Sequence, residues 1–378
     1  MFWNAANTSL SADTQHVRYA VVGAGYIAQN AILPAFANAR ENSALAAIVS
    51  GEARKRGGLS RLYDVRIAVG YDDFDSLCNS GDIDAVFIAL PNSLHCEFAI
   101  RAAQAGLHVL CEKPMAVTSG ECRQMIRAAA QNQVKIMVAY RLHFEEANLR
   151  AIEIARGGML GNIRYFDAAF SMQVTHGNSR TRRNLGGGPL LDLGIYCINA
   201  ARYVYCDNPL EVTALCAGGF DRRFEEIDAT CSVLMRFPGN RLATFTCSFD
   251  AADVSRYQIV GERGTLTVDP AFEYEAELRH ILQIGDKVRE RSFRRRDQFA
   301  AELTYFSDCI LQHREPEPGA IEGLIDITII EAIQRAARSG RSEALPEFQP
   351  EPKPDIDQAR KMSPSRKKPF INVQRAHR

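Results

Sequence analysis

"VRYAVVGAGYIAQNAILPAFA", residues 17–37, decides how the first part of this chain folds. Its first six residues are apolar but for Arg18, the pattern of a strand covered on both faces. Gly23-Ala24-Gly25-Tyr26-Ile27-Ala28 then spells GxGxxA between that strand and a helix, the context in which the motif has meaning. Gly23 permits a tight turn, Gly25 lets the backbone approach a pyrophosphate, and Ala28 keeps helix and strand close. The helix start presents unpaired N–H groups and partial positive charge to phosphates. Gly23, Ala24, Gly25, Tyr26 and Ile27 are therefore expected to hold a dinucleotide.

Outward from this unit the alternation continues to about residue 140. Apolar "ALAAIVS" (44–50), "DAVFIALP" (84–91), "HVLCEKP" (108–114) and "KIMVAY" (135–140) are separated by the helix-like "EARKRGGLSRLY" (52–63), "SLHCEFAIRAAQAG" (93–106) and "SGECRQMIRAAAQNQ" (119–133). Short apolar strands joined by helices predict right-handed βαβ crossovers and a doubly wound parallel sheet of the Rossmann type. Beyond about residue 160 the period changes to two. "IRYFDAAFSM", "LEVTALCAGG", "DATCSVLMRF", "RLATFTCSF", "SRYQIVG", "GTLTVD" and "HILQIGDKVRERSF" alternate apolar and polar residues, and "FPGNR" reads as a hairpin turn. The second part is thus expected to be an α+β domain with a large, open, mostly antiparallel sheet and helices near 189–205, 297–313 and 319–338. The expected organisation is an arm (1–16), a nucleotide domain (17–140), a substrate domain (141–345) and a tail (346–378). The tail has six prolines and excess Lys and Arg, so it should be extended on the surface or disordered. "KVRERSFRRR" (287–296) suits an exposed strand edge guarded by charge. An open sheet has one face needing cover, which predicts a homodimer or homotetramer through it.

Bulk properties exclude several classes. At 378 residues the chain exceeds a single compact core, and 45 basic against 45 acidic residues give no global pull to nucleic acid or membrane. No apolar run approaches the ~18 residues of a membrane span. The N-terminus lacks a basic patch followed by an apolar run, so a cytoplasmic location is expected. Ten scattered cysteines without a CxxC pair read as buried thiols in a reducing compartment, and no His/Cys spacing suggests a metal.

Ligands of a parallel sheet bind beyond the strand ends, so the residues there are candidates. The second strand ends Val49-Ser50-Gly51 without the acid that would hold an NAD ribose; Ser50 and Lys55, with Arg54 beside it, suit a 2′-phosphate. NADP is expected rather than NAD, with Glu52 as a counter-signal. Leu90-Pro91-Asn92 and His95 follow the next strand, Asn92 reading as a helix cap that also reaches ribose, and Glu112-Lys113-Pro114 ends another. Pro114 is a candidate cis proline. Gly186-Gly187-Gly188-Pro189 precedes a helix on which Asp192 and Tyr196 stand at i and i+4, with Asn199 at i+7.

These stretches together resemble the Gfo/Idh/MocA oxidoreductases over roughly residues 17–345, with greatest similarity to the glucose-fructose oxidoreductase branch, which has Tyr where many relatives have His. The matching segments are "VVGAGYIAQ", "IVSGEARK", "LPNSLHCEFAIRAAQAGLHVLCEKPMAVT", "YRLHF" and "GGGPLLDLGIYCINAARYV". The resemblance implies Lys113, Asp192 and Tyr196 as the catalytic set, Arg141 and Glu112 beside the cofactor, and Arg180 and Asn199 toward substrate. Asn199 stands where the family has Asp, and Ser179-Arg180 where it has Trp-Arg. Oxidising a sugar hydroxyl requires a hydride acceptor and a base for the proton. An ammonium near a phenol makes it a readier base. Tyr196 is therefore the expected acid/base, Lys113 its electrostatic activator and Asp192 the group orienting substrate. The implied function is an NADP-dependent oxidoreductase acting on an aldose C1 hydroxyl or polyol to give a lactone, with NADP retained and recycled as in the glucose-fructose branch. The alternatives are a non-catalytic NAD(P)-binding sensor, which needs no acid/base set, and redox-assisted glycoside hydrolysis, which the Tyr form disfavours.

Overall fold

The structure, a computed structural model, describes residues 16–349 and 354–373. The N-terminal sheet consists of β1 (Val17–Val22), β2 (Ser43–Val49), β3 (Ile67–Val69), β4 (Ala85–Ile88), β5 (His108–Glu112) and β6 (Ile136–Ala139). All pairs are parallel, in the order β3-β2-β1-β4-β5-β6. Tyr19, Ala20, Val21 and Val22 are fully buried, which is why the strand reads as a continuous apolar run. β3 is a half-buried edge of three residues, too short to show a periodicity. The helix Ser119–Gln131 starts where Thr118 and Glu121 form a reciprocal capping box.

The C-terminal sheet has nine strands: β7 (Ile163–Gln173), β8 (Glu211–Ala217), β9 (Thr230–Phe237), β10 (Arg241–Ser248), β11 (Asp250–Gly261), β12 (Gly264–Val268), β13 (Leu278–Ile284), β14 (Lys287–Phe293) and β15 (Glu343–Ala344). Their order is β14-β13-β12-β11-β7-β10-β9-β8-β15, and only β7 and β10 pair in parallel. β14, from the charged "KVRERSF", is an edge strand with six of its seven residues exposed. Helices cover one face. Alternation leaves Tyr165, Leu215, Leu234 and Leu242 exposed on the other, with Tyr165 directly opposite Leu242.

Several expectations need correction. The helix Gln298–Leu311 packs on the first sheet: Ser307 Oγ bonds Tyr19 Oη (2.8 Å), and Asn42 donates to Thr304 O (2.9 Å). The chain thus returns to the N-terminal domain after β14 and adds β15 to the second sheet afterwards. The cysteines are not all free thiols, because Cys216 and Cys231 form a disulfide. Register sets them opposite each other on β8 and β9, a placement their spacing of 15 residues could not reveal. The tail over 354–373 takes the first of its two expected forms, a strap packed on the surface of the N-terminal domain with Met362 and Ile371 against its core. The expected arm lies outside the described residues except for residue 16. No helix among the described residues is long and apolar enough to cross a membrane.

The helix Ala320–Ser339 joins the two halves. Glu331 accepts from Ser119 N–H and Oγ (both 2.8 Å), and Asp326 pairs with the fully buried Arg202 (2.5 Å). Asn199 belongs to this network, donating to Asp326 Oδ2 (3.1 Å). Its expected substrate role is corrected accordingly, since it points into the packed interior between two helices.

Candidate active site

A cavity of about 1030 Å³ runs between the domains, from the C-terminal ends of β1, β2, β4 and β5 to the inner face of the second sheet. Every residue expected to hold the dinucleotide lines it except Gly51 and His95. Gly51 packs beneath the Tyr71 ring, and Tyr71 takes the place on the wall. His95 is fully buried, with its two ring nitrogens 2.8 Å from Pro114 O and 2.9 Å from Leu90 O. Burial lowers its pKa, and it ties together two strand ends rather than meeting a ligand. Asn92 lines the wall but caps no helix; it donates to Gly186 O (2.8 Å). The cross-domain dock at Gly186 depends on glycine, because a Cβ there would lie 2.8 Å from Asn92 Cβ and φ is +74°.

The glycine loop fits a dinucleotide. Gly23 has φ +98°, and a Cβ on it would lie 2.5 Å from Ala89 O. A Cβ on Gly25 would meet nothing within 4 Å, so the open space beside that backbone is available to a bound group. Ser50 and Lys55 line the β2 end of the cavity, suited to a 2′-phosphate, and Lys55 Nζ is 3.3 Å from Glu52 Oε2. Glu52 thus partly occupies the cation that sequence assigned to the phosphate.

At the other end the expected catalytic residues converge. Lys113 Nζ donates to Asp192 O (2.8 Å) and Oδ1 (2.7 Å). Arg180 Nε donates to Asp192 Oδ2 (2.6 Å), so one carboxylate holds two cations. Burial alone would raise the Asp192 pKa, but Arg180 and Lys113 hold it well below the usual carboxylate range. Asp192 is therefore a fixed anion and not a proton carrier. Burial pulls the Lys113 pKa down, yet Asp192 keeps it above normal. An ammonium has three donors, so one N–H of Lys113 remains beyond the two that Asp192 takes. The Lys113–Pro114 peptide is cis.

Asp192 lies in a π-type turn, Leu190–Gly194, that runs into the helix Ile195–Tyr205 and brings Tyr196 to the same cavity. The Tyr196 ring packs edge-on against Phe170 (5.5 Å), with Lys113 Nζ 4.8 Å from its centroid. Arg141, expected beside the cofactor, lines the same cavity and also holds the phenol. Its Nε donates to Tyr196 Oη (3.1 Å), while Nη1 donates to Gln298 (2.6 Å) and Nη2 to Phe272 O. Two cations therefore flank Tyr196.

Burial raises the Glu112 pKa to about 7, against the pull of Lys113 and Arg141. This gives a checkable pH dependence. Glu112 becomes anionic as pH rises through about 7, and an anion on the cavity wall attracts the cationic nicotinamide ring. Binding titrations should show NADP⁺ affinity rising several-fold across that interval, and Glu112→Gln should flatten the trend. An unchanged trend in the variant would contradict this role.

Sequence reasoning missed the loop 269–276 between β12 and β13, whose Phe272, Glu273, Tyr274 and Glu275 line the cavity. "DPAFEYEA" (269–276) carries no motif, and its alternation of apolar and acidic residues reads as strand, so nothing in it signals a cavity-lining loop.

Comparison with known proteins agrees with this architecture. The family profile described as "Oxidoreductase family, NAD-binding Rossmann fold" matches residues 17–140, and the GFO/IDH/MocA C-terminal domain matches 148–267. D-xylose 1-dehydrogenase [NADP(+)] of Haloarcula marismortui is 28% identical over 85% of this chain and 91% of its own. An uncharacterized oxidoreductase of Rhizobium meliloti is 30% identical over 87% of this chain and 99% of its own. The crystal structure of aldose-aldose oxidoreductase from Caulobacter crescentus superposes with a TM-score of 0.83 at 37% identity, covering 88% of this chain and 100% of that one. With both domains matched and the glycine loop, Lys113, Asp192 and Tyr196 all on one cavity, the chain belongs to the Gfo/Idh/MocA oxidoreductase family.

Proposed function

We propose that this NADP-dependent sugar oxidoreductase oxidises an aldose at C1 to the lactone and keeps its NADP for reduction of a second sugar. The supporting observation is the convergence of Lys113, Asp192, Arg180, Arg141 and Tyr196 at the end of the cavity opposite Ser50 and Lys55. Similarity to an NADP-dependent D-xylose 1-dehydrogenase and to an aldose-aldose oxidoreductase supports the cofactor and the substrate class.

The nicotinamide supplies the acceptor for the hydride that leaves sugar C1. The Tyr196 oxygen receives the O1 proton. Tyr196 acts as the phenolate, whose negative charge faces the Arg141 Nε–H donor and the nearby Lys113 ammonium before reaction and is neutralised as the proton arrives. Asp192 fixes Lys113 and Arg180, leaving their free N–H groups to orient sugar hydroxyls. In the return direction Tyr196 gives the proton to the carbonyl oxygen of the second sugar. An aldose deuterated at C1 tests the assignment: NADPH formed in a single turnover should carry the label. Label retained in the sugar product would exclude C1.

Lys55 sets the coenzyme preference in this reading. Lys55→Ala should raise KM for NADP⁺ about tenfold, the order expected for a lost charged hydrogen bond, and leave NAD⁺ nearly unaffected. Equal effects on both would contradict it. The apolar residues on the uncovered sheet face suit a second copy of the chain. Tyr165→Arg with Leu242→Arg should therefore yield monomers in sedimentation. An unchanged mass would place the interface elsewhere.

A further inference from the structure

Three distant segments meet beside the dinucleotide loop. Asn30, two residues beyond GxGxxA, donates its side-chain amide to Tyr274 Oη (2.9 Å) and Glu275 Oε1 (2.6 Å), both on the loop 269–276. The same Glu275 oxygen accepts from Lys367 on the C-terminal strap. Tyr274 and Glu275 line the cavity with Tyr26 and Ile27, so this junction closes a wall around the dinucleotide end.

The strap continues along the loop itself. The Phe370 ring lies 5.5 Å from that of Tyr26. Ile371 N–H donates to Gln29 Oε1 (2.8 Å), and Gln29 Nε2 returns bonds to Ile371 O (3.0 Å) and Ala24 O (2.9 Å). Ile371 also packs so near Gly58 that a Cβ there would come within 2.8 Å of it. Asn372 donates to Glu52, whose other oxygen meets Lys55. The strap therefore contacts the glycine loop, the helix after it and the acid beside the 2′-phosphate end.

We propose that the loop 269–276 and the strap form a latch that retains NADP between turnovers, with Asn30, Glu275 and Lys367 as its junction and Phe370, Ile371 and Asn372 as its brace. The inference rests on the NADP reading above and names the elements that would keep the cofactor from leaving. Release of a bound dinucleotide then requires the junction to open, and such opening steps set dissociation rates.

The test uses the full chain loaded with NADPH and chased with excess NADP⁺, with release followed by the loss of bound-NADPH fluorescence. Lys367→Ala combined with Phe370→Ala and Ile371→Ala should accelerate release at least about tenfold, whereas Lys367→Arg, which keeps the donor, should stay within about twofold of the unsubstituted chain. Lys367 and Phe370 are exposed, Ile371 is half-buried, and none of the three lies in a sheet. Release from the triple variant within about twofold of the unsubstituted chain overturns the latch and leaves the NADP reading standing. An unsubstituted chain that carries no NADP(H) as purified and takes up no NADPH overturns that reading, and the latch with it.

Discussion

Replacing Tyr196 by Phe should lower kcat by about 10²- to 10⁴-fold, the range that a positioned acid/base contributes. The substitution removes one oxygen and keeps the ring. The edge-on contact with Phe170 and the two cations over the ring are therefore retained, so the pocket keeps its shape. What disappears is the acceptor of the Arg141 Nε–H and the carrier of the substrate proton. Arg141 keeps its bonds to Gln298 and Phe272 O, so the fold should lose little stability. NADP binding, which depends on residues at the other end of the cavity, should change less than about twofold. A kcat within tenfold of the unsubstituted enzyme would show that another group carries the proton.

Asp192→Asn should damage both turnover and stability. The carboxylate is the shared counter-charge of Lys113 and Arg180, and their side chains are only 12% and 31% exposed. An amide of the same shape leaves two cations facing each other without an anion. Removing one partner of a buried ion pair costs about 3–5 kcal/mol, and the partial exposure of Arg180 places this case toward the lower end. The pH dependence has a definite sign. A carboxylate whose pKa is lowered in the folded state stabilises above its unfolded value of about 4, and that contribution fades as pH falls through the folded value. Urea unfolding should therefore separate the two proteins at pH 7 and bring them together in strong acid. A stability gap that is the same at both pH values would show that the ion pairs are not its source. Turnover should fall with the charge, since Lys113 and Arg180 lose the group that aims them.

The first sheet and its glycine loop were legible because parallel strands buried on both faces leave unbroken apolar runs. GxGxxA also records a steric need at Gly23. Lys113, Asp192 and Tyr196 drew notice through a strand end and a spacing of four residues, and the family resemblance supplied their roles. Other features depend on tertiary register alone. The Cys216–Cys231 pair follows from the alignment of β8 with β9, and Asn199 is taken up by an acid 127 residues away. His95 opens the helix His95–Gln104 after β4, and its direction is fixed by two carbonyls that no local pattern specifies. The loop 269–276 alternates apolar and acidic residues as a strand would, and in the strap Pro and Lys content alone cannot distinguish a docked segment from a free one. The placement of Gln298–Leu311 on the first sheet was hidden for the same reason, since an amphipathic helix does not name its partner.

The most direct test of the sugar oxidoreductase reading is absorbance at 340 nm after purified protein and NADP⁺ are mixed with aldoses one at a time. Absorbance should rise with at least one aldose. The rise should be faster with NADP⁺ than with NAD⁺, and Tyr196→Phe should abolish it. If NADP is retained, the first rise equals the amount of enzyme, and a second, open-chain sugar returns it to baseline. No change with any aldose or polyol, with either coenzyme, from protein that binds NADP would contradict the reading and leave a nucleotide-binding sensor as the better account.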